Sequence, residues 1–102
     1  MKMTSYKLLM IEAHDDVRKE TKKELMARGL SVVDTTNLEE GLNILRSDGA
    51  IQAVMVNWKM YSSKQSKVYD LIGEEIFYAI IKVRYEVNLF LYTIEKDRKS
   101  VV

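Results

Sequence analysis

Short apolar runs and longer segments of helical periodicity alternate along this chain. The runs of strand length cover residues 6–12, 30–34, 51–57 and 87–93. Three of them are almost continuously apolar, which is typical of parallel strands that are buried on both faces. Between these runs, apolar residues recur at spacings of three and four, as they do on the buried face of a helix. The order predicts a β-α-β-α-β-α-β chain whose parallel sheet carries helices on both faces, joined by right-handed crossovers.

Polar residues mark where the predicted helices start and stop. Asp15 is the predicted N-cap of the first helix, which runs to about Arg28. Asn37, with Glu40 three residues later, forms an Asn version of the capping box at the second helix. The third helix is predicted over residues 69–85. The residues predicted to face the core are Val17, Thr21 and Leu25 in the first helix, and Leu71, Ile72, Ile76, Ala79, Ile80 and Val83 in the third.

The composition limits the classes of function. The chain has 102 residues, of which 47% are hydrophobic and 30% charged, so one globular domain over residues 1–102 is expected. We expect an ordered core over about 1–94 and a charged tail over 95–102. The formal net charge of +1 provides no basic field for nucleic acid. With no cysteine, no apolar run of membrane length and no secretory pattern, a cytoplasmic protein without disulfides is expected.

Charged residues cover most of the predicted first helix between positions 18 and 24. A patch that binds phosphate or lipid is one interpretation of this run. The pattern favours a solvated helix face with pairs of opposite charge four residues apart.

The third predicted strand ends in an amide where chemistry would require a carboxylate. In open α/β sheets, ligands gather at the carboxyl ends of the strands. An Asp at that position could hold a divalent cation or accept a phosphoryl group, but Asn57 offers neither charge nor a nucleophile. We expect Glu12, Asn57 and Thr93 to converge at this edge. The edge could be polar without a ligand, a site for a small molecule or anion, or a weak site for a divalent metal.

These positions give the chain a resemblance to response-regulator receiver domains. In that family the first strand ends in an acidic pair, the third in a phosphorylatable Asp, the fourth in Thr or Ser, and the fifth in Lys. Here Glu12 keeps one acid, Ala13 replaces the other, Asn57 replaces the acceptor and Thr93 matches. We expect a three-layer, flavodoxin-like doubly wound sheet that stops before the fifth strand and last helix. The resemblance therefore implies a receiver-like fold without magnesium-dependent phosphorylation.

A closer resemblance is to the N-terminal wing domain, itself receiver-like, of the bacterial pyridoxal-phosphate-dependent ornithine/lysine/arginine decarboxylases. The stretches that carry it are 7–12, 34–45, 50–60, 71–73 and 87–92. The resemblance implies pyridoxal phosphate and lyase activity for a parent protein, with no cofactor, metal or catalytic residue in this chain. It implies a role in oligomer assembly or in docking a regulatory protein. The alternative is a phosphorylation-incompetent pseudo-receiver of a signalling protein.

Apolar residues beyond the needs of one core predict contact with another protein. The third helix has the consecutive run 76–81, and the fourth strand would have an open edge. We therefore expect a homo-oligomer. Trp58 could instead cap the core, and Tyr78 and Ile81 could instead lie against the loop 59–67. The candidate interface residues are Trp58, Met60, Phe77, Tyr78, Ile81 and Tyr92.

The single histidine, His14, follows the first strand. A base or a pH sensor near Glu12 is one interpretation. With no nucleophile close in sequence, the pattern favours an ordinary loop histidine.

Overall fold

Four strands and three helices alternate in a computed structural model that describes residues 6–59, 61–65 and 73–92. The strands are β1 (Lys7–Ile11), β2 (Ser31–Thr35), β3 (Ala53–Asn57) and β4 (Asn88–Tyr92). The helices are α1 (Asp15–Ala27), α2 (Leu38–Ser47) and α3 (Gly73–Val83). The predictions made for Met60, Leu71, Ile72, Thr93 and the tail lie outside the described residues.

All strand pairs are parallel, and the order across the sheet is β2-β1-β3-β4. The register pairs Ile11 with Thr35 on one side and with Val56 on the other, and Asn57 with Tyr92. The carboxyl ends of all four strands therefore lie along one edge. This confirms the predicted doubly wound, flavodoxin-like α/β sheet.

The sheet divides the core into two layers. On one face, α2 and α3 pack their apolar residues on β1 and β3, with Leu45, Ile76 and Ile80 fully buried. Each such side chain contributes about 1.5–3 kcal/mol to folding. On the other face, Leu25 of α1 packs on a smaller cluster that includes Met10. Helices on both faces confirm the three-layer arrangement.

The first helix differs from the prediction in its start and in its burial. Its N-cap is His14, whose backbone is extended, and Asp15 is already in the first helical turn. None of its residues is fully buried, and the predicted inner residues Val17, Thr21 and Leu25 are only half-buried. The reason is that α1 is the only described helix on its face of the sheet and contacts only β1 and β2 closely.

The start of α2 is closed by hydrogen bonds from two directions. The predicted cap is confirmed, because Oδ1 of Asn37 accepts from the backbone N–H of Glu40 at 2.9 Å. The N–H of Leu38 donates to the carbonyl of Tyr61 at 3.0 Å, and that of Glu39 to the carbonyl of Ser62 at 2.9 Å. These bonds satisfy donors that a helix start leaves open. They also hold the segment after β3 against α2.

The three described helices have 13, 10 and 11 residues. A helix that crosses the hydrocarbon core of a bilayer needs about 20 predominantly apolar residues. Within residues 6–59, 61–65 and 73–92, no helix meets the length and apolarity that a membrane span requires.

Candidate functional site

Three neighbouring strands bring polar side chains together at the carboxyl edge of the sheet. Glu12 directly follows β1, Asn57 is the last residue of β3, and Tyr92 is the last residue of β4. Glu12 is completely buried and Asn57 is 3% exposed. With His14, which follows Glu12 in the chain, these residues form what we call the edge cluster.

The carboxylate of Glu12 is the centre of the edge cluster. Its Oε1 accepts from Nδ2 of Asn57 at 3.1 Å and from the hydroxyl of Tyr92 at 2.5 Å. Its Oε2 accepts from the backbone N–H of His14 at 2.9 Å and lies 2.8 Å from the His14 Nδ1. A buried carboxylate without partners would cost several kcal/mol, and these donors offset that cost. The cluster is thus satisfied by its own residues.

The side chain of Asn57 is fixed at both ends. Its Nδ2 faces Glu12, and its Oδ1 accepts from the backbone N–H of Lys59 at 3.2 Å. An Asp at this position would present an acceptor to Glu12 where Asn57 presents a donor. The amide that appeared in the sequence as a missing acceptor is therefore a structural partner of the buried acid.

Tyr92 is a member of the edge cluster that sequence reasoning assigned only to an interface. Burial, the hydrogen bond to Glu12 and the charge of Glu12 together raise the pKa of the Tyr92 hydroxyl well above its ordinary value. The hydroxyl therefore remains protonated and donates to Glu12. A sequence signal was available, because Tyr92 ends the apolar run that neighbours the strand of Asn57, and strand ends of a parallel sheet share one edge.

His14 also joins the cluster, and it does so through both its backbone and its ring. The ring nitrogen Nδ1 lies 2.8 Å from Oε2 of Glu12, so it carries its hydrogen toward the carboxylate. The side chain is 28% exposed. The sequence pattern favoured an ordinary loop histidine, and this interpretation is wrong. In the structure, His14 is held by contacts with the buried carboxylate of Glu12.

A network of ion pairs borders the edge cluster on the α1 side. Arg18 donates to the backbone carbonyl of Glu12 at 3.0 Å, to Asp34 at 3.1 Å and to Asp15 at 2.7 Å. Lys22 donates to the other oxygen of Asp34 at 2.8 Å. Burial opposes ionisation of Asp34, but the hydrogen bonds and charges of Lys22 and Arg18 outweigh it, and the pKa of Asp34 is lowered.

This network corrects the interpretation of the charge run on the first helix as a solvated face. The Arg18 side chain is only 11% exposed, because it reaches from α1 to the end of β1 and to Asp34 of β2. The more exposed charges of the run, such as Lys19 and Lys23, fit the original interpretation.

The residues of the site do not fit a divalent cation. Ala13 has no side-chain oxygen, Asn57 turns its nitrogen toward the acid, and both oxygens of Glu12 already accept hydrogen bonds. In the part of the chain that the structure describes, no three acidic or histidine side chains converge as metal ligands would. Every buried polar side-chain atom there has a hydrogen-bond partner.

Four of the predicted interface residues lie on or beside α3, whereas Tyr92 belongs to the edge cluster. Trp58 is 43% exposed, Phe77 38% and Tyr78 65%, and Ile81 is half-buried. The rings of Phe77 and Tyr78 meet edge to face, with centroids 5.5 Å apart. The Trp58 ring lies against Gly73, the first residue of α3, so it covers this helix start as well as facing outward. The contact of these residues with another protein stays a prediction.

Comparisons with known proteins identify the fold. No protein-family model matches the chain. No curated protein matches it either. Among solved structures, it is similar to a response regulator receiver domain protein from Clostridium thermocellum, with a TM-score of 0.74 and 24% identity. That similarity covers 90% of this chain and 68% of the other. The chain therefore has the flavodoxin-like fold of receiver domains.

Proposed function

We propose that this chain is a receiver-like domain that does not become phosphorylated and acts through contacts with proteins. The observation that carries the proposal is the closure of the edge cluster. The Glu12 carboxylate that could have helped to hold a cation accepts hydrogen bonds from Asn57, His14 and Tyr92. A domain with this fold that carries no reactive group at this edge would act through contacts of its surface with other proteins.

The chemistry of the edge supports this proposal. Phosphoryl transfer to a side chain needs a nucleophile and a cationic partner for the developing charge. The amide of Asn57 is not a nucleophile of this kind. The guanidinium that borders the edge cluster, that of Arg18, is held by Asp15, Asp34 and the backbone of Glu12. A phosphoryl group at the edge would also lie beside the buried charge of Glu12.

The exposed aromatic residues support the interaction role. The exposed parts of the Tyr78 and Trp58 side chains bury no apolar area within the domain. Aromatic residues are enriched in the cores of protein interfaces, where their area becomes buried. The surface around α3 is therefore where we expect a partner.

The test is exposure of the folded chain to acetyl phosphate and Mg²⁺, followed by intact-mass measurement. We expect no phosphoryl adduct and no shift of the thermal unfolding midpoint on adding Mg²⁺. A response-regulator receiver domain that retains its Asp acceptor serves as the positive control for the reagent. An adduct on the wild-type chain, mapped to any residue of the carboxyl edge, would overturn the proposal.

We further propose that the chain is the wing domain of an ornithine/lysine/arginine decarboxylase, on the sequence resemblance over 34–45 and 50–60. Under this proposal pyridoxal phosphate is bound elsewhere in a cytoplasmic parent protein, and this domain serves assembly or docking. The neighbouring coding sequence tests it. A downstream domain with a cofactor lysine agrees with it, whereas a histidine kinase or DNA-binding domain favours the signalling pseudo-receiver.

A further inference from the structure

An open groove runs along the contact between α2 and α3. It has a volume of about 490 Å³ and is lined by Leu42, Arg46, Ala79, Lys82 and Val83. The three apolar side chains are half-buried, so part of their area remains in contact with water. The two basic side chains are exposed. The groove therefore combines an apolar floor with two cations.

The two helices beside this groove run in the same direction. Each follows a parallel strand and returns from the carboxyl edge of the sheet toward the opposite edge. Both pack on the same core layer. Arg46 lies in the last turn of α2 and Lys82 in the last turn of α3, and both line the groove. These two cations are therefore level with one another at one end of the helix pair.

The same pattern of three residues occurs on the outward side of both helices. In α2 the order is acid, apolar residue and base at Glu39, Leu42 and Arg46. In α3 the same order and the same spacing occur at residues 75, 78 and 82. Positions three and four residues apart are neighbours on a helix surface, so each set forms one stripe. We call the surface formed by Glu39, Leu42, Arg46, Glu75, Tyr78 and Lys82 the α2–α3 face.

The α2–α3 face has an acidic end, an apolar middle and a basic end. In each helix the acid and the base are seven residues apart, which is about 10.5 Å along the helix axis. Tyr78 lies between the two charges of α3 and is 65% exposed. Leu42 lies between those of α2 and is half-buried. The midpoints of the two charge pairs are level, because the two cations are level and the spacings are equal.

The charges of this face are available to another molecule. A helix dipole favours acids at the start of a helix and bases at its end, but it does not require them to face outward. Within the described part of the chain, Glu39, Arg46 and Lys82 take part in no ion pair. Arg46 donates to the neutral amide of Asn43 at 3.0 Å. By contrast, the neighbouring Glu40 pairs with a lysine at 3.3 Å.

We propose that the α2–α3 face binds the same face of a second copy, with the helices of the two copies antiparallel. The two-fold axis lies in the interface and crosses both helices at the midpoints of their charge pairs. Glu39 then lies opposite Arg46 of the second copy, and Glu75 opposite its Lys82. The apolar middles meet at the axis. The inference rests on the proposed function, for which it names the partner.

Other arrangements match the charges of the face less well. A two-fold axis parallel to the helices would set Glu39 against Glu75 of the second copy and Arg46 against its Lys82, so like charges would meet. A partner with charges of one sign would match only one end of the face. A second copy in the antiparallel arrangement matches both ends, because it carries the same stripes in reverse order.

The size of the face sets the strength of the dimer. Two helices of 10 and 11 residues from each copy give an interface at the low end of the size range, where contacts are transient. Exposed ion pairs add little each and are screened by salt. We therefore expect a dimer at protein concentrations on the order of 100 μM that weakens as the salt concentration rises.

Charge reversal at the two ends of the face tests the pairing by sedimentation velocity. Arg46→Glu with Lys82→Glu makes both ends acidic, and Glu39→Lys with Glu75→Lys makes both ends basic. We expect the wild-type chain to form a dimer and each double variant alone to be a folded monomer. An equimolar mixture of the two double variants should form a dimer again, because each acidic end then meets a basic end.

Lys19→Glu with Lys23→Glu is the matched control for the acidic double variant. It changes the net charge by the same amount at exposed positions of α1, on the other face of the sheet. It should form a dimer as the wild-type chain does. Circular dichroism of every variant checks that the fold is retained, since substitutions at exposed positions normally cost little stability.

A disulfide at the axis provides a second test. The chain has no cysteine, so Tyr78→Cys introduces a single thiol beside the axis. Helices that pack with 8–10 Å between their axes bring facing Cα atoms within the reach of a disulfide. We expect Tyr78→Cys to form a covalent dimer on mild oxidation. Tyr85→Cys, at a position that is 79% exposed but beyond the end of α3, should remain largely uncrosslinked.

Three outcomes would overturn the dimer. They are a wild-type monomer at several hundred micromolar, a dimer that persists in both double variants, and an assembly that grows beyond two copies. The last would indicate a head-to-tail contact between the acidic end of one copy and the basic end of the next. None of these results affects the phosphorylation test, so failure of the dimer and failure of the proposed function are distinguishable.

Discussion

The hydroxyl of Tyr92 donates a hydrogen bond of 2.5 Å to the buried carboxylate of Glu12, across 80 positions of sequence. The contact joins the end of β4 to the end of β1, which are separated in the sheet by β3. It is possible because parallel strands bring their carboxyl ends to one edge. Tyr92 therefore fills part of the carboxyl edge of the sheet, which is where ligands bind in open α/β sheets.

Tyr92→Phe is expected to lower the free energy of unfolding by about 1–3 kcal/mol at neutral pH, because a carboxylate oxygen of buried Glu12 loses one of its hydrogen-bond donors. The pKa of Tyr92 is raised in the folded state, so the stability from this hydroxyl is fully present below the unfolded pKa of about 10 and is lost as pH rises further. Wild type should therefore lose its advantage over Tyr92→Phe above about pH 10. Urea unfolding at several pH values measures this.

Tyr85→Phe is the control for that experiment, because Tyr85 is 79% exposed. It should match wild type throughout the pH range. A Tyr92→Phe variant as stable as wild type at neutral pH would contradict the hydrogen bond as described.

Asn57→Asp is expected to destabilise the fold by about 2–4 kcal/mol at neutral pH, because it replaces a donor to Glu12 with a second carboxylate. The loss should shrink on acidification, when one of the two carboxyls takes up a proton. Chemical unfolding at neutral and acidic pH measures both effects. Asn43→Asp, on the exposed side of α2, should change stability little. An Asn57→Asp variant that is more stable than wild type and binds Mg²⁺ would instead indicate a latent cation site.

Arg84→Met is expected to cost about 2–4 kcal/mol, because the Arg84 guanidinium donates to three backbone carbonyls at once. These are the carbonyls of Leu45 at 2.5 Å, Asp48 at 2.9 Å and Ile51 at 2.8 Å. The bonds satisfy carbonyl groups at the end of α2 and hold this end to the segment that leads into β3. The positive charge of Arg84 at the carboxyl end of α2 also interacts favourably with the helix dipole. Thermal or urea unfolding gives the loss.

Arg28→Met is the matched control, because Arg28 pairs with Glu24 on the exposed side of α1. Exposed pairs of this kind contribute at most about 1 kcal/mol. Equal losses in the two variants would mean that Arg84 contributes no more than a surface arginine.

Gly73→Ala is expected to move the Trp58 ring, because a Cβ on Gly73 would overlap the ring atoms. Trp58 is the only tryptophan, so its fluorescence reports the change directly, as a shift to longer wavelength and greater quenching by iodide. Gly49→Ala, where an added Cβ meets no atom within 4 Å, should leave the spectrum unchanged. An unchanged spectrum in Gly73→Ala would show that the ring does not lie on the start of α3.

Asp34→Asn tests the ion pairs beside the edge cluster. Because the pKa of Asp34 is lowered in the folded state, its stabilising effect is present above its ordinary value near 3.8 and is lost as pH falls through the folded value. We expect Asp34→Asn to be less stable than wild type at neutral pH and to approach it in acid. Stability differences that stay constant from neutral pH down to about pH 3 would exclude this role.

The sequence by itself determined the order of the elements and the type of fold. Nearly continuous apolar runs such as 51–57 are typical of parallel strands covered on both faces. The Asn37 cap signal placed the start of α2 correctly. The replacement of an acceptor by Asn57 was also visible in the sequence. These features are local, since each depends on residues a few positions apart.

Only the tertiary structure decided how the carboxyl edge is filled. Nothing near Glu12 in sequence indicates that Tyr92 donates to it, or that Arg84 closes the end of α2. Such contacts depend on which strands become neighbours and on the direction of each side chain at the strand end. A one-dimensional pattern records burial and periodicity, whereas these hydrogen bonds join residues 33 to 80 positions apart that meet only after the sheet has formed.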